Sequence, residues 1–209
     1  MEAVNTILVI ISGLCWSGVY ILCIRGGFKE KTCCMPLFAL GLNIAWEGIY
    51  AYLDLFINQT VTVQAIANAC WFVLDILIVV TWFRYGQNRN AAAYEKKLFI
   101  PWTLLVLVVC FTLQLLFIKT FGQHDGEIYS AYLQNIVMSV SFIYMLRDRR
   151  SSRGQSMNIA VLKCIGTLAP TILGTLEGNT FILVTGIICF VFDVLHIFGL
   201  HKTFELEQG

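Results

Sequence analysis

Five ionisable side chains of this 209-residue sequence stand inside long apolar runs: Glu47, Asp54, Asp75, Lys163 and Asp193. An ionised group in a hydrocarbon layer costs at least a few kcal/mol, so each of the five needs a partner or a purpose. A carboxyl withdrawn from water holds its proton, because a low-dielectric pocket penalises the anion. Such a group is a proton donor at neutral pH. Two carboxyls in one site strengthen the effect, since both cannot ionise cheaply. The aromatic supply is large as well, with Trp16, Trp46, Trp71, Trp82 and Trp102 among rings that make up 13% of the chain. Ring faces attract cations without reacting as nucleophiles. An acid in an aromatic-lined apolar pocket is the equipment for starting and steering a carbocation. The same composition also suits plain packing between membrane helices.

Helical spacing groups these residues. Asn43, Glu47, Tyr50 and Asp54 fall at i, i+4, i+7 and i+11, one face of a helix. Asn68, Trp71, Asp75 and Trp82 share another face, and Asp193 with His196 a third. Asn43, Asn68, Gln114, Gln134, Asn135 and Ser139 also suit the humbler task of hydrogen bonding between helices. His196 equally suits helix packing, Asp54 solvation at an interface, and Lys163 either snorkelling or an ion pair with one of the acids.

The elements that must carry these faces are membrane helices. Hydrophobic residues make up 58% of the chain and charged residues 13%, about half the charge of a soluble domain. A hydrocarbon core takes about twenty apolar residues of helix. Runs of that length occur at 4–24, 35–57, 64–83, 98–118, 127–146, 157–176 and 180–200. The reading is an all-α polytopic membrane protein, a single domain of seven transmembrane helices with short loops. Twelve of the fourteen Lys and Arg residues fall on one side: Arg25, Lys29, Lys31, Arg84, Arg89, Lys96, Lys97, Arg147, Arg149, Arg150, Arg153 and Lys202. The excess of basic residues in cytosolic loops then puts the N terminus outside or in a lumen and the C terminus in the cytosol. At about 1.5 Å rise per residue, Glu47 lies roughly 18 Å, Asp75 roughly 12 Å and Asp193 roughly 10 Å from the cytosolic ends of their spans.

Several classes are disfavoured. A net charge of +1 gives no basic excess for a nucleic acid. There is no Asp-rich magnesium motif, no glycine-rich phosphate loop and no zinc-type His/Cys array, so neither a metal nor another cofactor is expected. The last span has no lysine for a retinal Schiff base. Glu2 stands where a cleaved signal would carry basic residues. Six of the eight cysteines sit in apolar runs as small hydrophobes, while Cys33 and Cys34, at a membrane edge, suit packing or acylation. Asn58-Gln59-Thr60 is a glycosylation sequon too close to the membrane to be used.

The segments GLCWSGVYILCIR (13–25), MPLFALGLNIAWEGIYAY (35–52), WFVLD (71–75), LQNIVMSVSFIYML (133–146), RGQSMNIAVLKCIGTLAP (153–170) and FDVLH (192–196) extend over nearly the whole chain. In order and spacing they resemble the integral-membrane terpene cyclases of fungal meroterpenoid and indole-diterpene pathways and their bacterial relatives, the paxilline-type and pyripyropene-type cyclases. The Asn43, Trp46, Glu47, Tyr50 element is the most specific part. The resemblance implies that an acid protonates a terminal epoxide or olefin of a prenylated aromatic or indole substrate, and that rings close through carbocations without loss of diphosphate. It assigns the two essential acids to Glu47, as donor, and Asp193, as its hydrogen-bonding or proton-sharing partner. Asn43, Trp46, Tyr50, Trp71, Asp75, Asn135 and His196 are then expected to line the substrate site. The expected partners are that substrate and membrane lipid, in the endoplasmic reticulum of a fungus or the plasma membrane of a bacterium. A small proton-coupled transporter or seven-helix sensor, relaying protons through the same acids, is the alternative.

Overall fold

The computed structural model describes residues 2–87 and 93–208, so Arg89 lies outside the described residues. Among the described residues every regular element is helical. The helices are α1 (Glu2–Glu30), α2 (Leu37–Tyr52), α3 (Val63–Tyr85), α4 (Ala93–Arg149), α5 (Met157–Leu176) and α6 (Thr180–Gln208). Side chains start three of them: Thr62 accepts from the Ala65 amide at 3.0 Å, Ser156 from the Ile159 amide at 3.2 Å and Asn179 from the Ile182 amide at 3.2 Å, each satisfying a donor that a first helical turn leaves over. Pro36, with φ of −61°, stands ahead of α2, where its missing N–H costs nothing. After Tyr52 the chain continues as a π-helical turn, Leu53–Ile57, which carries Asp54.

Two of the expected spans, 98–118 and 127–146, fall within α4, and Gly122 divides them with φ of 82° and ψ of 173°. Only glycine tolerates that backbone. Twenty residues of straight helix extend about 30 Å, yet Gln114 donates to Gln134 at 3.0 Å. The two limbs, 93–121 and 123–149, are therefore folded back on each other as an antiparallel hairpin, and the rings of Phe121 and Tyr129 meet edge to face just beyond the bend.

Five of the described helices are long and apolar enough to cross a membrane. Their outer faces carry exposed Leu14, Val108, Leu183 and Phe198, an arrangement that suits lipid and not water. Inside, Tyr20, Cys23, Met35, Ile78, Met138 and Phe142 are buried together. α1 packs on α3 and α5, α2 on α3 and α4, and α6 on α4 and α5. Small residues permit the closest approaches. The Gly166 carbonyl accepts from Ser12 at 2.8 Å, and a Cβ at Gly186 would stand 2.1 Å from Thr171.

The loops tie the ends of the bundle. At the basic end, Arg149 donates to the Cys33 carbonyl at 2.9 Å, Arg153 to the Glu30 carbonyl at 2.9 Å, and the Gly154 amide to the Glu30 carboxylate at 2.7 Å. Cys33 and Cys34 are buried beneath these contacts, and burial pushes the Cys34 thiol up to about 12. Their burial suits a packing role. At the opposite end, Gln123 donates to Asp54 at 2.7 Å and Asn58 to Gln123 at 3.0 Å. Asp54 is accordingly a joint between the π-helical turn and the α4 hairpin.

Candidate active site

Between α1, α2, α3, the second limb of α4, α5 and the start of α6 lies a cavity of about 390 Å³, a size suited to a small-molecule ligand. Its position follows from the polar faces of the helices. Each face turns inward because lipid offers its side chains no hydrogen-bond partner. The rim carries the exposed side chains Gln64, His124 and Glu177. The floor is formed by buried Tyr20, Asn43 and Glu47. One end of the space is therefore open and polar, and the other is closed and holds a carboxyl.

Glu47 is 2% exposed. One of its oxygens, Oε1, accepts a hydrogen bond from the Tyr20 hydroxyl, and that hydroxyl accepts from the Asn43 amide at 2.8 Å. Asn43 lies one turn before Glu47 on α2, so the two side chains reach Tyr20 of α1 together. Behind them, the Asp75 carboxyl of α3 stands within hydrogen-bonding reach of Glu47. No donor in the described structure meets Glu47 Oε2 or either oxygen of Asp75. Two carboxyls facing each other can bond only if one carries a proton. One proton shared between them would pair two of these three oxygens.

Aromatic rings surround this floor. Trp16 and Trp71 flank Tyr20, each with its ring centroid 6.2 Å away. The Trp71 indole is oriented by donating to Ser17 at 3.1 Å. Trp46 lines the cavity on the far side, donates to the Glu127 carbonyl at 3.1 Å and packs on Tyr50 at 5.3 Å. The indole N–H groups of Trp46 and Trp71 are taken up in hydrogen bonds, and Trp16, Trp46 and Trp71 all line the space.

Of the residues expected at the site, Asn43, Trp46, Glu47, Trp71 and Asn135 line this cavity. Tyr50 and Asp75 are fully buried behind its wall. Asp193 and His196 are not among its lining residues. Asp193 instead pairs with Lys163 at 2.6 Å, and His196 Nε2 meets Gln155 at 2.6 Å. The expected meeting of Glu47 and Asp193 is not what the structure brings together. An ammonium of opposite charge on the neighbouring helix is the stronger attraction for Asp193 in a dry interior. Tyr20 is the residue that sequence reading passed over. The i, i+4 pair Trp16 and Tyr20 on the first span was the available signal. Among the described residues, no group of three or more His, Cys, Asp and Glu comes together as a metal site.

Residues 1–196 match the family described as Pyr4-like transmembrane terpene cyclases. The chain belongs to that family. It is 32% identical over 167 residues to the Pyr4-family terpene cyclase mfmH of Annulohypoxylon moriforme, covering 77% of this chain and 66% of that protein. It is 28% identical over 167 residues to the terpene cyclase macJ of Penicillium terrestre, covering 76% and 62%. It is 24% identical over 198 residues to the terpene cyclase pyr4 of Aspergillus fumigatus, covering 88% and 80%. The match thus spans just under two thirds of the first two relatives. As a family member with helices of membrane-crossing length, the chain is an integral membrane protein.

Proposed function

We propose that this protein is a membrane terpene cyclase in which Glu47 is the proton donor. The observation that carries the reading is a carboxyl at the closed end of an aromatic-lined cavity, held by Tyr20 and Asn43. The substrate is a prenylated aromatic or indole compound. Its apolar chain enters first and its head group rests near the polar rim. The Glu47 O–H bond breaks and the proton passes to a terminal epoxide oxygen or olefin carbon. The resulting cation is attacked by successive double bonds, with Trp16, Trp46 and Trp71 presenting ring faces to it. Loss of a C–H proton ends the sequence. No electron is gained or lost, so the product is an isomer of the substrate. Asp75 supports Glu47 from behind as the group with which it shares and regains a proton.

The fold belongs to this proposal. α2 with its π-helical turn runs 21 residues, from Leu37 to Ile57, and α4 is a hairpin, so we read seven crossings of one domain. The N terminus is lumenal or outside and the C terminus cytosolic, in the endoplasmic reticulum of a fungal host or the plasma membrane of a bacterial one. The test is incubation of membranes containing the protein with a farnesylated phenol bearing a terminal epoxide, and with its olefin counterpart. The expected result is an isomer of unchanged mass and shorter retention, absent with Glu47→Gln. That variant keeps the size of the side chain and deletes the transferable proton. Full turnover by Glu47→Gln would remove Glu47 from the chemistry.

A further inference from the structure

A second polar cluster lies toward the basic end of the bundle and has no surface in the cavity. Lys163 of α5 donates to Asp193 of α6 at 2.6 Å and to Ser139 of α4 at 2.7 Å. The charged side chains are 1% and 2% exposed. Three helices are thus tied at one buried ammonium. Ser139 in turn donates to the Asn135 carbonyl at 2.9 Å. Asn135 and Thr167 line the cavity; Asn135 precedes Ser139 by four residues and Thr167 follows Lys163 by four, each about one helical turn. The cluster therefore sits a turn beneath one wall of the cavity.

The placement bears on what Asp193 does. A carboxylate that accepts from an ammonium at this distance has no proton to give. If it held one, Lys163 would be left as an uncompensated charge in a dry interior, which is strongly unfavourable. Such a charge would also oppose any cation formed in the space above it. We propose that Asp193 is a positioning residue, not a proton donor: it neutralises Lys163, and with Ser139 the pair locks α4, α5 and α6 beneath the cavity. The proposal rests on the cyclase reading for its activity measurement and on the coordinates alone for its stability measurement.

The distinguishing property is rescue. Breaking a buried ion pair from one side strands a charge, whereas replacing both partners by neutral groups of similar volume is close to neutral. The experiment compares purified wild type with Asp193→Asn, Lys163→Met, the double variant Lys163→Met/Asp193→Asn, and a second neutral pair, Lys163→Met/Asp193→Leu. Each is followed by its melting temperature in detergent and by kcat on the farnesylated phenol epoxide. Each single variant is expected to melt lower by on the order of 10 °C. At least one neutral pair is expected to regain most of that loss, and to cyclise with kcat within a few-fold of wild type. Three results overturn the proposal: single variants that melt as wild type does, losses that simply add in both pairs, or a pair that melts normally and forms no product where wild type does. In the last case Asp193 carries the chemistry itself. Should wild type convert no probe, the cyclase reading fails, and the melting cycle alone still decides for or against the clamp.

Discussion

The Tyr20 hydroxyl donates to Glu47 and accepts from Asn43, so one small group fixes the direction of the carboxyl in the cavity floor. Hydrogen bonds involving a group that becomes charged are worth about 1.5–3 kcal/mol. Tyr20→Phe is therefore expected to lower kcat by about tenfold to a hundredfold, with little change in melting temperature. Steady-state rates on the epoxide probe, beside a thermal melt, check this. Asp75 is a different case, because both its oxygens lack any donor and it has no surface in the cavity. Asp75→Asn is expected to slow turnover with KM unchanged, which a substrate titration resolves. An increase in KM alone would put Asp75 in substrate binding. These neighbours were only partly legible in sequence. Glu47 and Asn43 share a helix, so their spacing announces them. Tyr20 and Asp75 come from other helices, and no spacing rule reaches across the gap.

At the scale of elements, the bend in α4 depends on one residue. Gly122 has φ of 82°, a conformation that a side chain disfavours by about 1–3 kcal/mol. Gly122→Ala is expected to lower the melting temperature by several degrees while leaving kcat of the folded protein near wild type. Loss of activity without loss of stability would mean that the bend shapes the site directly. The α5–α6 seam is tighter. A Cβ at Gly186 would overlap Thr171, and one at Gly174 would stand 2.4 Å from Ile182. Because Gly174 and Ile182 also line the cavity, Gly186→Val is expected to reduce both stability and turnover, as the helices separate. Melting and rate measurements on the same preparation test that pairing of effects. The apolar runs fall on these helices, but α1 continues to Glu30 and α6 to Gln208, six and eight residues past the runs. The sequence predicts a short loop around Gly122, because hydropathy does not distinguish a loop from two helices that meet at one bent residue.

For the whole molecule, the two ends differ in kind. One end gathers Arg149, Arg153 and Glu30 in loop contacts, and the other carries Asp54, Asn58 and Gln123. A tag after Gly209 is expected to be accessible to protease in sealed vesicles whose cytosolic face is outward, and a tag before Met1 to be protected. The reverse pattern would invert the topology. Asn58 is expected to stay unglycosylated, since its amide is engaged by Gln123 and Asp54, and a glycosidase shift on a gel would show otherwise. By itself the sequence determined the solvent, the helical class, the spacing of each polar face and the presence of an acid within a family motif. All of these are properties of one helix at a time, set by periodicity and the cost of bare polar groups in lipid. Only the tertiary structure decided which acid faces which partner. It set Glu47 beside Tyr20 and Asp75, and gave Asp193 to Lys163, because charges and hydrogen bonds in a dry bundle are settled by contacts between helices.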